Sequence, residues 1–394
     1  GNGKPLRWGS PAFESAWSCD NSSYNRRSAR EKTSMPAIQI KSPALTLKAG
    51  RRALARIRER GLQPADVGIV PGAAGGPKAL GIQGLDLAIF GEWLPRAPRE
   101  RSLIGASIGS WRFASACLPD AVAGLTRLGE LYTRQRFPKG VSIAEVSRKC
   151  AAMLDDLLAG QDARILDNPL YRLNVVVVKS HGRLAHDHKA SLGLGLSSVI
   201  RDNLIGRRHL HRHFERVILH DARQAPPLAA LTDFPSRYLH LDGGNLRQAL
   251  LASGSIPMVM EGVRDLPGAG PGTYRDGGLL DYHLDLPYED RGVVLYPHFT
   301  DKVIPGWFDK GLPWRRGDAG RLQDVLLLAP SREYLARLPH AKLPDRKDFT
   351  RYLGDDDGRE RYWRQAMAES RRLGDEFLEL VDGGRLGERL QALD

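Results

Sequence analysis

Residues 103–110 read Leu-Ile-Gly-Ala-Ser-Ile-Gly-Ser, an apolar run that stops at a serine between two glycines and passes into a small-residue stretch, Ser110 to Leu118. Gly105 and Gly109 remove side-chain bulk where a chain doubles back, so the pattern predicts a strand, a tight turn at Ser107 and a helix. The Ser107 hydroxyl would then stand exposed above the helix N-terminus, at the C-terminal end of a strand in an open α/β sheet. Glycine and serine are common, so G-x-S-x-G needs support from elsewhere in the chain.

Upstream, Val67 to Val70 predicts a short buried strand that opens into Pro71-Gly72-Ala73-Ala74-Gly75-Gly76-Pro77-Lys78-Ala79-Leu80-Gly81 and then a helical apolar stripe through Phe90. A glycine-rich bend of this kind turns backbone N–H groups toward one point, where they can hold a phosphate or a tetrahedral oxyanion. As a phosphate loop the stretch fails at its most specific positions: Pro77 replaces a glycine, and Ala79 replaces the magnesium-binding hydroxyl. Downstream, Leu250-Leu251-Ala252-Ser253-Gly254-Ser255-Ile256-Pro257 predicts a helix ending at small residues, and Tyr274-Arg275-Asp276-Gly277-Gly278 follows a Gly/Pro-rich loop. By itself Asp-Gly-Gly is an ordinary turn.

In this order the segments resemble the patatin-like phospholipases, lipid acyl hydrolases with a glycine-rich oxyanion loop, a G-x-S-x-G serine, an A-S-x-x-x-P segment and an Asp-Gly-Gly aspartate. The resemblance covers about residues 66–290. It implies a three-layer α/β fold with a mainly parallel central sheet flanked by helices. It also implies a Ser107–Asp276 dyad without histidine, an oxyanion loop at Gly75, Gly76, Pro77 and Lys78, an elbow at Gly105 and Gly109, and no cofactor or metal. Ala74 and Ala79 stand where the family commonly has glycine, and Lys78 replaces a more frequent arginine. The expected activity is hydrolysis of carboxylic esters of phospholipids or related acyl lipids through an acyl-serine, as in phospholipases A and lysophospholipases. Two alternatives stay open: a lipid-binding or regulatory protein with a degenerate oxyanion loop, and an acyltransferase using the same serine.

The chain has eleven histidines, so a Ser-His-Asp triad is a rival to the dyad, with His283 the nearest candidate after Asp276. His209, His211 and His213 would share one face of an extended segment and suggest a metal site, with His186 and His188 nearby. Arg207, Arg208, Arg212 and Arg216 around them oppose a divalent ion, and a solvated basic stretch is the preferred reading. Trp111 and Arg112, just past the elbow, are read as helix packing before any contact with an acyl chain or head group.

The formal net charge of +12 favours anionic surfaces. No nucleic-acid-binding pattern accompanies it, so the expected partner is an acyl-lipid substrate in an anionic membrane surface, with nucleic acid disfavoured. Three widely spaced cysteines form neither a zinc nor a disulfide pattern, which points to a reducing compartment. With no span-length apolar run and no apolar leader, a cytoplasmic or peripheral-membrane location is expected, export without a cleavable signal staying open.

Residues 1–48 read as a polar, flexible arm, with Met35 an alternative start. Residues 49–330 read as the catalytic domain and 331–394 as a helical extension anchored by Tyr362, Trp363, Phe377, Leu378 and Leu380. A basic amphipathic helix is expected from Ala49 to Arg60, packed on the sheet edge. Buried strands are expected at 173–178, 217–220, 293–296 and 325–328.

Overall fold

The computed structural model describes residues 42–393. It is an α/β protein built on one mixed, mainly parallel sheet of eleven strands flanked by helices. The strands are β1 (Leu45–Ala49), β2 (Val67–Gly72), β3 (Arg101–Ala106), β4 (Tyr171–Ser180), β5 (Phe214–Asp221), β6 (Ser236–Leu241), β7 (Val263–Arg264), β8 (Thr273–Asp276), β9 (Val293–Pro297), β10 (Val325–Pro330) and β11 (Gln391–Ala392). Their order is β11-β1-β10-β9-β2-β3-β4-β5-β6, with β8 joined to β4 and β7 to β8 off this path. The central strands β2, β3, β9 and β10 are parallel to one another and almost wholly buried, which is why β9 and β10 read as unbroken apolar runs.

Strand β4 sets the geometry that matters. Its first half pairs with β3, up to Ala106 opposite Val176. Beyond the end of β3, the antiparallel β8 takes over the pairing, beginning with Asp276 opposite Val177. Two consecutive residues of β4 therefore place the end of β3 and the end of β8 next to each other. Ser107 follows Ala106 directly, so its approach to Asp276 is written in the sheet register.

The principal helices are α1 (Arg51–Arg60), α2 (Gln83–Ala88), α3 (Ile108–Ala116), α4 (Ala121–Thr133), α5 (Ile143–Leu158), α6 (Lys189–Ile205), α7 (Leu246–Gly254), α8 (Asp356–Glu369) and α9 (Arg371–Asp382). Helix α1 buries Ala53 and Ile57 and packs on the sheet edge formed by β1, β10 and β11. No helix among the described residues is long and apolar enough to cross a membrane.

Near both ends of the described residues a short strand joins the sheet. Most of the arm, residues 1–41, lies outside the described residues, but Leu45–Ala49 is a strand, not arm. Leu45, Leu47 and Ala49 are buried and alternate with half-buried Thr46 and Lys48, the period of a strand pairing with β10. The C-terminal extension is part of the same body. Leu373, Phe377 and Leu380 of α9 join the main core, Phe377 meets Trp93 edge-on at 5.1 Å, and β11 adds a strand beside β1. The Gly84 N–H of α2 donates to Ser370 Oγ at 2.8 Å, so α2 is tied directly to the start of α9.

Candidate active site

Ser107 has φ 55° and ψ −129°, a conformation that an L-residue adopts only when its surroundings impose it. The elbow is imposed by close packing. A Cβ on Gly109 would lie 1.9 Å from the Gly72 carbonyl oxygen, and one on Gly105 would lie 2.5 Å from the Ser110 nitrogen. Any side chain at either position would force β2, β3 and α3 apart.

The structure brings Ser107 and Asp276 together, with the Ser107 hydroxyl donating to Asp276 Oδ2 at 2.7 Å. The other carboxylate oxygen accepts the Gly278 N–H at 2.7 Å, which fixes the plane of the carboxyl group. Both residues are buried, at 3% and 5% exposure. Burial pushes the Asp276 pKa up to about 6. Its hydrogen bond from Ser107, the charge of Arg346, the Gly278 N–H and the charge of Lys310 pull in the other direction. A carboxyl group with that value is ionised at neutral pH yet more basic than an exposed aspartate, which suits a proton acceptor for a serine hydroxyl. Activity that uses Asp276 as base is expected to rise as pH climbs through about 6, because only the carboxylate accepts a proton. A pH profile of kcat/KM checks this; a profile flat from about pH 5 to 8 would contradict it.

The last turn of α7 and the residue that follows it lock both partners. Ser253 Oγ accepts the Ser107 N–H at 2.8 Å and donates to the Val176 carbonyl at 2.8 Å. The Asp276 N–H donates to the Ser255 carbonyl at 3.1 Å. The Ala-Ser-Gly-Ser-Ile-Pro stretch thus holds the nucleophile and the carboxylate from one side, a role that its sequence did not disclose.

The expected oxyanion loop narrows. Pro77 has no N–H, the Lys78 N–H makes a long contact of 3.4 Å to the Gly75 carbonyl, and the Ala74 N–H is spent on the Tyr282 carbonyl at 3.0 Å. Gly76 and Ile108 line the same pocket as Ser107. Their backbone N–H groups, one from the loop and one from the residue after the nucleophile, are the candidate oxyanion donors. Gly75 carries the loop over Phe299, and the Lys78 ammonium lies over the Phe299 ring at 4.9 Å.

The pocket beyond Ser107 is apolar, walled by Trp111, Val146, Met153, Ile256, Met260 and Phe349. Trp111 is held by its indole N–H to the Leu250 carbonyl at 2.8 Å. Two cations belong to the site although no local pattern announced them. Arg346, from the C-terminal segment, lines the pocket, its Nε 3.1 Å from where a Cβ on Gly76 would stand. Lys310 is half-buried with its ammonium 4.2 Å from the Tyr282 ring centroid, and desolvation lowers its pKa to about 8.

His283 is buried away from this bond. It stacks on Tyr282 and meets His298, each at 4.3 Å between centroids, and its Nδ1 accepts the Ile304 N–H at 3.0 Å. Burial holds it neutral, well below the usual imidazole value. The 207–212 stretch is a 3-10 helix, not an extended strand, so His209, His211 and His213 do not share a face. His213 instead pairs with Asp202 at 2.9 Å, and the His211 ring bonds the Arg208 carbonyl. Among the described residues no group of three or more His, Cys, Asp or Glu is placed to hold a metal ion. Arg112 is buried in a two-pronged ion pair with Asp86, at 2.6 and 2.7 Å, and does not face the Ser107 pocket. Cys117 is buried beyond α3 and burial raises its thiol pKa, which makes it unreactive.

Neither a protein-family model nor a curated protein matches this chain.

Proposed function

We propose that the protein is a serine lipid acyl hydrolase of the patatin-like type, cleaving carboxylic esters of phospholipids or related acyl lipids through a Ser107–Asp276 dyad. The observation that carries this reading is the direct 2.7 Å hydrogen bond from the Ser107 hydroxyl to a buried carboxylate, on a backbone with φ 55° at the serine. An ordinary buried serine has no need of either feature. The apolar pocket beside it suits an acyl chain, and no histidine is bonded to either partner among the described residues.

In this mechanism Asp276 takes the Ser107 proton as Oγ attacks the ester carbonyl carbon. The carbonyl π pair moves onto oxygen, and the oxyanion is held by the Gly76 and Ile108 N–H groups; a single donor of this kind contributes about 2.7–4 kcal/mol. The C–O bond to the leaving alcohol then breaks, and Asp276 returns its proton to that alcohol. Water attacks the acyl-serine and loses a proton to Asp276. Collapse of the second tetrahedral species releases the fatty acid and restores the Ser107 hydroxyl.

The test compares the parent with Ser107→Ala on a mixed phospholipid extract by lipid mass spectrometry. Free fatty acids and lysolipids are expected to accumulate with the parent alone. Identical lipid profiles would remove the hydrolase reading and favour a binding protein. Acyl products formed on added alcohols or thiols in preference to water would instead mark an acyltransferase.

A further inference from the structure

Eight large apolar side chains stand out as exposed among the described residues, and four of them sit on one helix. They are Leu194, Ile200, Leu204 and Ile205 of α6, with Leu204 57% and Ile205 69% exposed. A fifth, Trp314, is 69% exposed and lies beside the same helix end, because the neighbouring Arg315 guanidinium donates to the Asn203 carbonyl at 3.1 Å. Single exposed apolar residues are unremarkable, but a helix face that gathers them with a tryptophan marks an interaction surface.

The charge around this face is predominantly positive, although the exposed Asp318 lies four residues past Trp314 and Arg201 and Arg212 both face Asp202. Lys189 and Arg201 on the helix, Arg208 and Arg212 in the turn after it, and Arg316 beside Trp314 supply the cationic rim. The one carboxylate of α6, Asp202, is buried and pairs with Arg201 at 2.8 Å and His213 at 2.9 Å, so it offers nothing outward. Apolar side chains rimmed by arginines, with a tryptophan at the edge, match the interface of an anionic bilayer. There leucine and isoleucine enter the acyl boundary while guanidinium groups stay at phosphate depth. A second copy would bring the same cationic rim against itself, which charge opposes.

This surface is tied to the catalytic loop. Arg207, just past α6, donates to the Leu280 carbonyl at 2.6 Å, four residues beyond Asp276, and to Asp309 at 3.1 Å. Asp309 in turn accepts from Asn203 of α6 at 2.9 Å. We propose that the exposed face of α6, together with Trp314, is where this protein docks onto an anionic lipid surface, setting the catalytic end of the sheet beside its substrate. The proposal rests on the lipid-hydrolase reading for its purpose, though not for its test.

The experiment is co-sedimentation of the full chain with phosphatidylcholine vesicles made with or without phosphatidylglycerol, for the parent and for the Leu204→Glu/Ile205→Glu and Trp314→Ala variants. The parent is expected to sediment with the phosphatidylglycerol vesicles and to be released by salt. The double variant is expected to bind at least about tenfold more weakly while hydrolysing a soluble short-chain ester as the parent does. Unchanged vesicle binding by the double variant overturns the docking face. So does a parent dimer in solution that the double variant splits, since the face would then be covered by a second copy. Failure of the parent to cleave the soluble ester would count against the hydrolase reading alone, leaving the vesicle comparison to decide the docking face.

Discussion

Replacing Asp276 with asparagine is expected to lower kcat by about 10³–10⁴-fold, the loss typical of removing a positioned general base. The variant preserves shape. Its side-chain carbonyl can still accept the Gly278 N–H, and its amide can donate to Ser107 Oγ, reversing the bond that now runs from serine to carboxylate. What disappears is the ability to take a proton. The same change relieves a folding cost. With the folded-state value near 6 and an unfolded value of about 3.9, the folded protein binds the extra proton between those limits. Stability from this group is therefore present below about pH 4 and lost as pH rises through about 6, a swing of about 3 kcal/mol. The substituted amide carries no charge to bury, so the Asp276→Asn variant is expected to unfold at higher denaturant than the parent at neutral pH. Urea titration alongside steady-state kinetics checks both halves. Full activity, or a loss of activity accompanied by a loss of stability, would contradict the assignment of Asp276 as a buried base.

Arg112→Met is expected to destabilise the protein by about 3–5 kcal/mol at neutral pH. Arg112 is 2% exposed on α3, and Asp86 is 1% exposed on α2, so the pair bolts the helix that follows the nucleophile to the helix that follows the glycine-rich loop. Burial pushes the Asp86 carboxyl upward, and the charge and hydrogen bonds of Arg112 pull it back. Without that guanidinium the carboxylate is stranded in an apolar interior. The deficit is expected to shrink as pH falls, since protonation removes the unpaired charge. A second substitution, Asp86→Leu, is expected to restore much of the stability, because two apolar groups leave nothing unpaired. A chemical-denaturation double-mutant cycle measures the coupling. Independent, additive effects of the two changes would show that the ion pair does not join the helices.

The sequence carries much of the fold because the central strands are buried on both faces. Val67–Gly72, Val293–Pro297 and Val325–Pro330 are near-continuous apolar runs, and burial on both sides requires that pattern. Elements that break it are harder to read. Strand β8 spells Thr-Tyr-Arg-Asp and is wholly buried, its Arg275 neutralised by Asp187 at 2.5 Å across 88 residues of chain. Strand β6 is an edge strand with mixed exposure, and β1 is five residues at the end of a polar tail.

The site divides in the same way. Gly105, Ser107 and Gly109 are legible because a sharp backbone turn demands particular residue types at fixed spacing. The closeness of Ser107 and Asp276 depends on two neighbouring residues of β4, Val176 and Val177, each choosing a different partner strand. No local pattern records that choice. Ser253 makes its contribution through one hydroxyl, and Arg346 arrives from 70 residues beyond Asp276 on a segment whose own composition is that of a charged surface helix.

The central claim is that Ser107 is a nucleophile activated by Asp276. The most direct test is to treat the parent, Ser107→Ala and Asp276→Asn with a fluorophosphonate and locate any adduct by peptide mass spectrometry. The expected result is one phosphonylated residue, Ser107, in the parent, no adduct in Ser107→Ala, and strongly slowed labelling in Asp276→Asn. Labelling at another residue, or equal rates in the parent and Asp276→Asn, would contradict it.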